Sequence, residues 1–94
     1  MQVSFDISLY PLAEAEYKDE IWAFIERLNR LDGLKVITNG MSTQVFGEYD
    51  YTTEHVMKEI RTVHQNVGSA VFILKMIASD RSHLINHQGN KPQK

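Results

Sequence analysis

Asp6 and Tyr10 lie on one alternating segment of this chain, and Gln44 and Phe46 lie two residues apart on another, with Glu48 close behind. Side chains two apart on an extended chain point to the same side, so each pair presents a single row. Carboxylates, an amide and aromatic rings gathered in this way suit a flat cationic ring system. Aromatic faces stack or make cation-π contact, and carboxylates offset positive charge. Tyr17, Trp22, Tyr49 and Tyr51 extend the aromatic supply from helix edges and loops. A plainer reading of the same residues makes Phe46 the core of a protein interface and the tyrosines its rim.

Catalytic and metal chemistry find less support. His55 and His64 are nine apart and do not share a helix line. His83 and His87 are four apart but lack the Glu of a metalloprotease pattern. Ser4, Ser8, Ser42, Ser69 and Ser79 have no base and orienter at a readable spacing, and there is no Gly-rich phosphate loop. Asp6 as a general base in a pocket competes with the commoner state of such a residue, a solvated strand carboxylate. The expectation is a binding protein and not an enzyme, with no catalytic residues, no metal and no resident cofactor.

Ninety-four residues make one domain with a modest core. Ten Lys plus Arg against 12 Asp plus Glu give a formal charge of -2 with interleaved signs. No basic stripe of the kind nucleic-acid binders carry is present, so nucleic acid is not an expected partner. Cysteine is absent, which excludes disulfides, thiolate catalysis and Cys-ligated zinc. No apolar run reaches membrane-spanning length, and the first residues lack a signal-peptide pattern. These features lead to the expectation of a soluble, unprocessed, cytoplasmic protein without a membrane partner.

The elements that must position these residues follow from periodicity. Val3, Phe5, Ile7 and Leu9 alternate with Ser4, Asp6, Ser8 and Tyr10, which predicts a strand over 2–10 ended by Pro11. Tyr17, Ile21, Phe24, Ile25, Leu28 and Leu31 recur at three and four, predicting a helix over 14–31, with Trp22 at the stripe's edge either as a core flank or as part of a contact surface. Gly33 suits a left-handed stop. A short strand over 34–38 and a longer one over 41–49 flank Asn39-Gly40, residues that accept the positive φ of a tight hairpin. Asp50, Thr52 or Thr53 is expected to cap a second helix with the stripe Val56, Met57, Ile60, Val63 and Val67. A last strand spans 70–77, and a polar, loose tail begins at Arg81. Residues 1–81 form the domain and 82–94 the tail.

The order βαββαβ predicts a two-layer α/β domain, an α+β sandwich of the split-βαβ kind with both helices on one face of a four-stranded sheet. Val3, Phe5, Ile7, Leu9, Phe72, Leu74, Met76, Met41, Thr43 and Val45 face the helices. Asp6, Ser8, Tyr10, Gln44, Phe46, Val71, Ile73, Lys75 and Ile77 occupy the opposite, bare face. Apolar residues there predict packing against a second copy of the chain, as dimers that can pair into a tetramer.

The stretch Asn39 to Glu48 (NGMSTQVFGE), preceded by Leu34 to Thr38 and followed by a helix, resembles the small YkoF-like thiamine-binding family. Members typically carry a Thr, a Val and then Gly-Glu on the third strand, as Thr43, Val45, Gly47 and Glu48 stand here. The opening Val3 to Pro11 is similar to the family's first strand, and the hydrophobic strand before Asp80-Arg81 resembles its last. The chain departs from the pattern at Phe46, where many members carry a charged residue, and at Met41. The resemblance covers residues 2–81. It implies a ferredoxin-like antiparallel sheet, homo-oligomers formed through sheets, and non-catalytic binding of thiamine or hydroxymethylpyrimidine. By position in the motif, Ser42, Thr43 and Glu48 are the ligand-binding residues it implies; Asp6 and Phe46 join them on charge and ring geometry. The alternative is a structural or regulatory homo-oligomer with no small ligand.

Overall fold

The computed structural model describes residues 1–11 and 17–84. Its strands are β1 (Gln2–Pro11), β2 (Lys35–Thr38), β3 (Thr43–Glu48) and β4 (Ala70–Ile77), and its helices α1 (Tyr17–Asn29) and α2 (Tyr49–Val67). A short 3-10 turn, Ser82–Leu84, follows β4. The strands form one antiparallel sheet in the order β2-β3-β1-β4, so β1 and β3 are central. This is the expected ferredoxin-like α+β architecture. Among the described residues no helix is long and apolar enough to cross a membrane.

Alternation along β1 sorts its side chains. Val3, Phe5 and Ile7 are buried with Phe24 and Leu28 of α1, Val45 of β3, and Val56, Ile60 and Val63 of α2. Each such side chain removed from water contributes about 1.5–3 kcal/mol, which makes this layer the main stabilising feature. Phe72 of β4 meets Phe24 edge-on at 5.6 Å between ring centres. Arg27 joins the helices at their outer edge, 2.5 Å from Glu59 and 3.7 Å from Glu20.

Several expected details differ. Pro11 pairs with Ala70 at the end of β1, since the end of a ladder tolerates a residue without an N–H. Trp22 is 65% exposed, so it does not flank the core; neither does Met57, at 49%. Met76 pairs with Phe5 and belongs to the helix face, yet it stands 43% exposed on edge strand β4. Met41 is not a strand residue facing the helices but the exposed tip of the hairpin. Gly33 has the expected positive φ of 89°, whereas Gly40 does not. Asn39 shapes the hairpin through its side chain, whose Oδ1 accepts the N–H groups of Met41 at 2.8 Å and Ser42 at 3.1 Å. The expected helix start at Glu14 and the tail beyond residue 84 lie outside the described residues.

The start of α2 also departs from expectation. Tyr49 opens the helix instead of ending β3, and Glu48 is its cap, accepting the Tyr51 N–H at 2.9 Å. Thr52 is fully buried beneath Gly47. A β-carbon at Gly47 would collide with Thr52 Oγ1 and lie 2.9 Å from Leu34 Cδ2. Gly47→Ala should therefore lower stability by about 1–3 kcal/mol through overpacking. Urea unfolding measures this, and an unchanged midpoint would contradict the close approach.

Candidate functional site

On the sheet face away from the helices, the register puts Asp6 of β1 opposite Gln44 on one side and Lys75 on the other. Asp6 Oδ1 accepts hydrogen bonds from Ser42 Oγ at 2.6 Å and Gln44 Nε2 at 2.9 Å. Gln44 Nε2 also donates to Ser42 Oγ at 3.0 Å, so the three polar groups close a triangle. The Ser42 hydroxyl holds the Asp6 carboxyl below the usual aspartate range. Partial burial opposes the shift, while Gln44 and the charge of Lys75 reinforce it. Asp6 is therefore ionised at neutral pH. Its Oδ2 has no hydrogen-bond partner among the described residues.

Beside this triangle lies a cavity of about 310 Å³ bounded by Asp6, Gln44, Phe46, Lys75, Ile77 and Arg81. Its size is at the lower end of small-molecule sites. Phe46 belongs to the open face but is only 6% exposed. It also walls a second hollow shared with Lys35, Asp80 and Ser82. The chain just past β4 accounts for this burial. Ser4, the neighbour of Phe46 across the β1–β3 pair, donates its hydroxyl to the Ser79 carbonyl at 2.7 Å and accepts the Arg81 N–H at 2.9 Å. The Asp80 carboxylate accepts the Ser82 N–H at 2.9 Å and closes the turn. The segment read from sequence as the onset of a loose tail is thus a strap pinned over the sheet, and this part of the face is not bare.

Of the five residues proposed from sequence, the structure brings three together. Asp6 and Phe46 line the cavity, and Ser42 orients Asp6. Thr43 points the other way: it is 5% exposed, and its hydroxyl lies 3.0 Å from that of Thr38. Glu48 is committed to the α2 cap, where the Tyr51 and Asp50 N–H groups lower its pKa. Trp22 and Tyr51 do not reach the cavity either. Trp22 is on α1, across the sheet, and Tyr51 lies against His55 at 4.4 Å between ring centres. Ser4 and Arg81 are additions the sequence reading lacked. Alternation already placed Ser4 on this face, but nothing local marked Arg81. Among the described residues no group of three or more His, Asp or Glu side chains forms a metal cluster.

No protein-family model and no curated protein matches the chain. Solved structures do. A hypothetical protein of Methanocaldococcus jannascii aligns with a TM-score of 0.72 and 27% identity over 85% of this chain and 82% of its own. A candidate thiamine biosynthesis or salvage protein of Thermotoga maritima aligns at 0.70 and 23% identity, covering 81% of this chain and 82% of that one. A Bacillus cereus domain of unknown function follows at 0.66 and 16% identity, over 86% and 79%. All share the fold.

The Asp6 triangle has a measurable pH signature. The folded-state pKa lies below the unfolded value of about 3.9, so the stabilisation is complete above that pH and is lost as pH falls through the folded value. Ser42→Ala removes the largest lowering influence. The Asp6 carboxyl carbon, followed by NMR, should then titrate at higher pH, and an unmoved midpoint would contradict the role given to Ser42.

Proposed function

We propose that this chain is a non-catalytic cytoplasmic binding protein of the YkoF-like kind, taking thiamine or its hydroxymethylpyrimidine portion on the open sheet face. The observation that carries this reading is the ionised Asp6, with Oδ2 unengaged, beside the nearly buried ring of Phe46 at the cavity. A carboxylate oxygen accepts from the ring amine of an aminopyrimidine or offsets a cationic ring, and an aromatic face or edge gives either ring a packing surface. The resemblance in sequence and the Thermotoga maritima neighbour support the same ligand class.

A second observation favours self-association. Tyr10, Val71, Ile73 and Ile77 are each between 42% and 53% exposed on the same face. Neighbouring apolar groups of this size are better covered than wet, and a second copy offers a matching face. Dimers, able to pair into tetramers, would bury them beside the cavity. The competing role, a structural or regulatory oligomer without a ligand, would use the same surface.

Calorimetric titration with thiamine and with hydroxymethylpyrimidine should give saturable binding, and no heat or competition at millimolar ligand would overturn the ligand reading. Asp6→Asn should weaken thiamine about tenfold and more than it weakens the uncharged pyrimidine, as expected for loss of a charge-assisted contact. Equal losses would indicate scaffold damage. Ile73→Asp should shift the sedimenting species toward monomer by placing an unpaired charge in the interface. A wild-type chain that stays monomeric across a wide concentration range would exclude the assembly.

A further inference from the structure

We infer that the ligand carries a phosphoryl group, held by Lys75 and Arg81 on the β4 side of the cavity, across from the Ser42 and Gln44 side of Asp6. The inference builds on the site described above and concerns the chemical class of its occupant. The cavity wall holds one carboxylate, Asp6, and two cations, Lys75 and Arg81, so its formal balance is one positive charge. Among the described residues neither cation has an ion-pair partner; the pairs present belong to Arg27 and Arg30.

The acids nearest to them form no ion pair with either cation among the described residues. Asp6 Oδ1 takes the Ser42 and Gln44 bonds, its Oδ2 stays open to a ligand, and Asp6 faces Lys75 across the strands without ion-pair contact. The Asp80 carboxylate, next to Arg81 in sequence, accepts the Ser82 N–H, and Glu48 accepts that of Tyr51. Phe46 and Ile77 supply apolar wall, where excess charge is less well screened than in open water.

Unphosphorylated thiamine is itself a cation. In this cavity it would satisfy Asp6 but add a third positive charge beside Lys75 and Arg81. A ring compound that sets an amine or ring cation against Asp6 and a phosphoryl group between Lys75 and Arg81 complements all three side chains at once. The guanidinium fork matches two phosphate oxygens, while the ammonium acts as a point charge. Arg81 is also carried on a fixed backbone, because its N–H bonds Ser4. Its side chain is exposed, so replacing it leaves that backbone bond in place.

The test titrates thiamine, thiamine monophosphate, hydroxymethylpyrimidine, its phosphate and cytidine monophosphate into the full chain and into Arg81→Gln and Lys75→Met, with circular dichroism confirming the fold of each. The expected result is that each thiamine-related phosphate binds about tenfold or more tightly than its parent. Each variant should bring that ratio toward one, and added inorganic phosphate should compete. Thiamine binding as tightly as its phosphate would overturn the inference and leave the proposed function standing. Arg81-dependent binding of cytidine monophosphate with no response to any thiamine compound would support the phosphoryl grip and overturn the thiamine reading. Silence from all five would overturn both.

Discussion

Strand β1 is paired on both edges, to β3 and to β4, and this double pairing fixes where every chemically useful group of the domain stands. A one-residue slip of β1 would carry Val3, Phe5 and Ile7 out of the helix layer and put Ser4 and Asp6 into it. Burial of the three apolar side chains therefore enforces the register. The register in turn puts Gln44 and Lys75 on either side of Asp6, and Phe46 and Ile77 on either side of Ser4. The polar site is a by-product of core packing on the opposite side of the same strand.

Two small hydroxyls turn this placement into a site. Ser42 and Gln44 converge on a single oxygen of Asp6, which keeps the carboxylate ionised and leaves its other oxygen unengaged. Ser4 uses its hydroxyl both as donor and as acceptor to pin the chain after β4, which covers Phe46 and brings Arg81 to the cavity. These bonds join residues 36 to 38 and 75 to 77 positions apart in sequence. They depend on the finished sheet and not on local structure.

That distance explains which parts were legible in the sequence. The sorting of β1, β3 and β4 into two faces follows from a period of two, and so does the place of Asp6, Gln44, Phe46 and Lys75. Ser42 and Thr43 are adjacent and hence alternate, which separates two residues that the family motif offered together. Glu48 is a carboxylate at a strand end, and its part as a cap depends on a helix that starts at the next residue. Thr52 looked like a cap but is buried, since Gly47 has no side chain to hold the helix off. Trp22 shows the limit of periodicity: an edge position fixes the helix angle but not whether a neighbour exists to cover it. The strap left no pattern, because its anchor, Ser4, is an ordinary strand serine.

The most direct measurement is a crystal structure of the protein grown with thiamine at saturating concentration. Binding on the open face predicts a ring against Phe46 with a donor or cationic atom adjoining Asp6 Oδ2, and the triangle with Ser42 and Gln44 unchanged. Density for the ligand on another surface, or partner side chains filling the space beside Phe46, would contradict it.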